Sequence, residues 1–138
     1  MLKEGIVLGE RYEIISRIGA GGMADVYKAQ DHKLNRLVAV KVMKAEFRED
    51  TSFVAKFQKE AQAAAKLSHP NVVNVYDVGE DRGLYYIVME LIEGITLKNY
   101  IARKGKLSVK EATSIAIQVS LGLEAAHNVG IIHRDVKP

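Results

Sequence analysis

The sequence predicts an α+β fold, a strand-rich half with one inserted helix followed by a helical half. Three observations carry that expectation. "RLVAVKVM" (36–43) alternates cleanly, with Val38, Val40 and Val42 facing one way and Ala39, Lys41 and Met43 the other. From Thr51 to Leu67 the period becomes helical, placing Phe53, Phe57, Ala64 and Leu67 on one stripe. After Gly94 the strand signals stop and two further helical stretches follow.

Taken in order, "RYEIISRIG" and "DVYKAQ" read as strands separated by a glycine cluster at 19–22. "RLVAVKVM" is the third strand. "VVNVYDVG" and "LYYIVMEL" are the fourth and fifth, joined by the turn "EDRG". "TLKNYIARKG" and "SVKEATSIAIQVSLGLEAAHN" read as helices, the second stopping at Asn128 and Gly130. That longer helix carries Ala112, Ile115, Ala116, Val119, Leu123 and Ala126 on one stripe, with Ile117 and Leu121 opposite. A helix apolar on two faces expects protein on both. The change of character places a boundary between a strand-rich domain, 1–93, and a helical part, 94–138.

The chain of 138 residues is long enough for one domain with a real core. A hydrophobic content of 48% with 27% charged residues fits a folded soluble protein and argues against disorder. Net charge is +3 and the lysines are scattered among acids, so nucleic acid is not an expected partner. Cysteine is absent, which removes disulfides, thiol catalysis and thiolate metal sites, and fits a cytoplasmic location. His32, His69, His127 and His133 lack metal-ligand spacing. The first residues have no signal-peptide core, and no run nears the roughly 18 apolar residues of a membrane span. The expectation is a cytosolic domain, or one taken from something larger.

Two constellations carry chemistry. Glu60 falls between Phe57 and Ala64, in the middle of the helical stripe, where an ionised carboxylate needs a cation. Lys41, on the Ala39 face of its strand, is the natural partner. The plainer alternative is that Glu60 reaches solvent and Lys41 is a strand-edge charge. "IGAGGMADVY" sets Gly19, Gly21 and Gly22 between two strands, where missing Cβ atoms let backbone N–H groups approach phosphate oxygens. Alone, such a cluster is as easily a simple turn. It is no Rossmann fingerprint, since a strand follows it, and no G-K-[ST] ends it as in a Walker loop.

A glycine-rich loop, "VAVK", a helix Glu and then "HRD" (133–135), in that order, resemble the protein-kinase signature over essentially the whole chain. "HRDVKP" is similar to the serine/threonine type. "GGMADVY", "SHPNVVNVYDVG" and "YYIVMELIEGITL" resemble the bacterial eukaryotic-type kinases that commonly carry extracellular PASTA repeats. The resemblance implies a kinase N-lobe, an antiparallel five-stranded sheet plus one helix, followed by the first helices of the C-lobe. It also implies the roles of individual residues. Gly19, Ala20, Gly21 and Gly22 would cover the ATP phosphates, with Ile18 and Val26 above the adenine and Ala39 beside it; Met23 and Ala24 would also belong to the ATP site. Lys41 would hold the α- and β-phosphates and pair with Glu60. Met89 would be the gatekeeper, and the carbonyl of Glu90 and N–H of Ile92 would meet the adenine edge. Asp135 would be the catalytic base and Lys137 would steady the transferred phosphoryl. His133 would be structural, and Arg134 would grip an activation loop.

Ala24 stands where the G-x-G-x-x-G pattern has its third glycine, a variant with a small side chain. The Asn of H-R-D-x-x-x-x-N would fall two residues past Pro138, and D-F-G and A-P-E later still. The resemblance therefore implies Mg²⁺ with ligands beyond the last residue, so that the chain stops within its catalytic loop and is inactive alone. The expected partners are ATP and protein substrates, with self-pairing through the N-lobe or the long helix as a candidate. A membrane anchor in the parent would have to lie outside these residues. The competing expectation is a nucleotide-binding, self-associating or pseudokinase module without catalysis.

Overall fold

The alternating stretches pair into one antiparallel sheet in a computed structural model that describes residues 1–138. Its strands are β1 (Val7–Leu8), β2 (Tyr12–Ala20), β3 (Ala24–Asp31), β4 (Arg36–Met43), β5 (Val75–Asp81) and β6 (Leu84–Met89). Their order across the sheet is β1-β2-β3-β4-β6-β5. The sheet thus has six strands where five were expected. The extra one, β1, is two residues long and pairs Leu8 with Tyr12, too short to leave a periodic signal. Arg82 and Gly83, with φ of 51° and 79°, form the two-residue turn that joins β5 to β6.

Strand alternation divides the sheet as β4 predicted. Val38, Val40 and Val42 join Tyr12, Ile14, Tyr27, Ala29, Tyr86 and Val88 in one apolar cluster. Met43 faces the other way, with Ala24 and Ile87, and meets Phe57 and Ala61 of α1 (Thr51–Ala65). That helix starts because the Asp50 carboxylate accepts from the N–H groups of Ser52 and Phe53.

The chain folds as two units, one of Met1–Lys66 with Asn74–Leu91 and one of Leu67–Val73 with Ile92–Pro138. The sequence placed a single cut after residue 93; in the structure the chain enters the second unit twice. Residues 72–74, read as the start of a strand, precede β5. Within the second unit, Thr96 caps α2 (Leu97–Lys104) and Ser108 caps α3 (Val109–Asn128). The Asn71 amide donates to the Gln118 carbonyl at 3.0 Å, and the Asn71 carbonyl sits against Gly122 of α3. Gly122 and Ala126 are buried and Ile115 and Leu123 half-buried, whereas Val119, Ile117 and Leu121 lie on the surface.

Candidate functional site

Antiparallel register gathers the predicted residues of the first unit onto one sheet face. Gly19 lies opposite Val26, Val26 opposite Lys41, and Ala39 opposite Met89. Cross-strand partners share a face, so a glycine turn, a valine, an alanine, a lysine and a methionine form one continuous strip. The same face carries the α1 cluster further along, which ends at Met43, Ala24 and Ile87. Ala39 is 5% exposed, Val26 and Met89 are half-buried, and Lys41 is exposed. An apolar floor beside an exposed ammonium fits a ligand with a flat apolar part and an anionic part.

The turn above this strip is closed by the Gly21 N–H donating to the Ala24 carbonyl at 2.9 Å. The Lys44 N–H donates to the Met23 carbonyl at 2.8 Å and ties the turn to the end of β4. A Cβ on Gly21 would stand 2.9 Å from the Ala24 oxygen, so the turn itself requires this glycine. A Cβ on Gly22 would meet nothing within 4 Å, and one on Gly19 would only touch Val26 at 3.6 Å. Neither has positive φ. The fold does not demand glycine at those two positions, but a group approaching their N–H groups would. Ala20, Gly22, Met23 and Ile18 are on the surface. Ala24 is not: its methyl is buried among Met43, Phe57, Ala61 and Ile87, so only its backbone serves the turn.

Glu60 requires a correction. The sequence put it in the middle of the apolar stripe, but its side chain is exposed. Phe57 and Ala61, with Val54 beside them, define the buried line, and Glu60 falls at its rim. The expected stripe through Phe53 and Leu67 is rotated, because Leu67 lies past the helix end and in the second unit. Lys41 and Glu60 form no ion pair in this structure. The ammonium is thereby left to other anions.

Beyond β6 the ladder continues by one residue. The Glu90 N–H donates to the Asn74 carbonyl at 2.9 Å. The Glu90 carboxylate accepts from the Asn74 N–H at 3.2 Å and from its side-chain amide at 3.3 Å. Sequence reasoning missed Asn74, whose partner is 16 residues away, and no periodic pattern marks it. Ile92 belongs to the second unit and is exposed.

In the second unit the last residues form a tight loop. His133 Nδ1 accepts the Asp135 N–H at 3.1 Å, so the imidazole proton sits on Nε2. Arg134 has φ of 68°, in the left-handed region that non-glycine residues rarely occupy. The Lys137 ammonium meets the Asp135 carboxylate at 3.1 Å, both exposed. Asp135 and Lys137 are therefore together, with the carboxylate open to solvent. No three His, Cys, Asp or Glu side chains gather to hold a metal ion. These residues do not fit Mg²⁺ by themselves.

Residues 12–138 match the protein kinase domain family, and the chain belongs to that family. It is 56% identical, over 97% of its length, to a chain of Clostridium perfringens named as a probable serine/threonine-protein kinase. It is 48% identical, over 93% of its length, to the serine/threonine-protein kinase PrkC of Bacillus subtilis. It spans 20% of each of those relatives. The crystal structure of the Mycobacterium tuberculosis PknI kinase domain, as a C20A mutant, superposes with a TM-score of 0.86 at 33% identity. That match covers 100% of this chain and 56% of the other. The fold is accordingly that of a kinase N-lobe with the first helices of a C-lobe.

Proposed function

We propose that the protein carrying this chain is an ATP-dependent serine/threonine protein kinase. The observation that supports this most directly is the strip on one sheet face, with Gly19, Val26, Ala39, Lys41 and Met89 in register, in a chain of the protein kinase family. Val26, Ala39 and Met89 would hold the base, and the backbone carbonyl of Glu90 its polar edge. Lys41 and the N–H groups of the glycine turn would hold the phosphates, and Lys41 would recruit Glu60 as nucleotide binds. A protein hydroxyl oxygen then attacks the γ-phosphorus and the bond to the β,γ-bridging oxygen breaks. ADP leaves, and the hydroxyl proton passes to Asp135 while Lys137 steadies the transferred group. The partners are ATP and protein substrates in the cytoplasm, with self-pairing through the first unit or through α3.

The test is transfer of labelled γ-phosphate from ATP with Mg²⁺ to a generic protein substrate by the full-length gene product. Asp135→Asn is expected to lower turnover by roughly 10²–10⁴-fold, the usual contribution of a general base. Lys41→Met is expected to weaken ATP binding. Wild-type turnover that neither substitution changes would overturn the assignment.

A second reading applies to the 138 residues taken alone: they bind nucleotide without transferring phosphate. It is supported by the lack of a metal-holding cluster and of an ion pair between Lys41 and Glu60.

A further inference from the structure

We infer that Asn74 is a positioning residue for base recognition, acting through Glu90. This rests on the proposed nucleotide site and deepens it. Glu90 follows β6 directly, where the regular ladder ends at the pair Val75–Met89. A chain leaving the end of a strand ordinarily loses its conformational restraint there. Here it does not. Asn74 holds Glu90 by three hydrogen bonds: its carbonyl takes the Glu90 N–H, and its own N–H and side-chain amide both donate to one carboxylate oxygen.

The two bonds to the carboxylate are charge-assisted and bind side chain and backbone of both residues into one closed ring. Glu90 is half-buried, so water competes less for those donors than at the surface. With its N–H and one carboxylate oxygen engaged by Asn74, the backbone of Glu90 keeps its carbonyl without a protein donor. A carbonyl fixed in direction discriminates a base by its donor pattern; a loose one does not. Asn74 therefore confers adenine selectivity on a site it does not itself touch. The triphosphate end, held by Lys41 and the glycine turn, is independent of it.

Binding of ATP and of inorganic tripolyphosphate to the full chain, measured by calorimetry, separates the possibilities. Wild type is expected to bind ATP more tightly than inorganic tripolyphosphate. Asn74→Ala removes the side-chain amide bond and keeps the two backbone ones, and is expected to weaken ATP by roughly 5–10-fold, the loss of one modest hydrogen bond, and to leave tripolyphosphate unchanged. Glu90→Ala should behave likewise, with Glu90→Gln, which retains an acceptor, recovering much of the loss. In nucleotide-free protein, hydrogen exchange at the Glu90 amide should quicken in Asn74→Ala. Equal ATP affinity in wild type and Asn74→Ala, or equal weakening of ATP and tripolyphosphate, would overturn the role of Asn74. A wild type that does not prefer ATP over tripolyphosphate would instead overturn the nucleotide site itself.

Discussion

Asp31 is a fully buried carboxylate at the end of β3. Arg11 donates to both its oxygens, from Nε at 2.8 Å and from Nη2 at 2.9 Å. The Lys33 and Leu34 N–H groups add two more bonds. The Arg11 guanidinium, more than these N–H groups, holds the Asp31 carboxyl down at about 2, against the opposing pull of burial. An unfolded Asp titrates near ~3.9. The folded value is lower, so the stabilisation is complete above the unfolded value and is lost as pH falls through about 2. Asp31→Asn is expected to lower the urea midpoint at neutral pH. The gap between variant and wild type should then narrow as pH falls from about 4 towards 2. Parallel midpoints across that range would refute the assignment. In the sequence, Asp31 was one acid among many. Only the pairing of β2 with β3, which puts Tyr12 opposite Asp31, brings Arg11 to it.

At the scale of elements, α3 is shaped by one close approach. A Cβ on Gly122 would lie 2.6 Å from the Asn71 carbonyl oxygen, a backbone atom with little room to move. Alanine is intrinsically the better helix residue by about 1 kcal/mol. Overpacking of this kind typically costs about 1–3 kcal/mol, so the clash prevails. Gly122→Ala is expected to lower the melting temperature measured by calorimetry, whereas a rise would mean that Asn71 yields freely. The elements themselves were largely legible. β4 was read with its true ends, because period-2 alternation with β-branched residues leaves little ambiguity. Helix α1 was found but turned wrongly. Its rotation depends on which of its residues meet Met43 and Ile87 on the sheet, and that is a tertiary fact. The displaced Glu60 and the missed Asn74 share this cause.

For the molecule as a whole, the second unit leaves Ile117 at 55% and Leu121 at 46% exposure on α3, with Val119 at 43%. Apolar side chains grouped on one helix drive association in water. The 138-residue chain is expected to self-associate with rising concentration in sedimentation velocity, and Ile117→Lys with Leu121→Lys to reduce it. A wild type monomeric at every concentration would count against this. No helix is long and apolar enough to cross a membrane.

The sequence by itself determined the family and the identity of every strand but β1 and of the three α-helices, because motif order and hydrophobic period are local properties of the chain. It also marked Lys41, Asp135 and the glycine turn as candidates, through the order of the kinase motifs. Only the tertiary structure decided that Glu60 faces solvent, that Ala24 is a core residue, and that Asn74 grips Glu90. Each of these depends on strand register or helix rotation. Those are set by the sum of many packing contacts between distant residues, and no short stretch of sequence contains that sum.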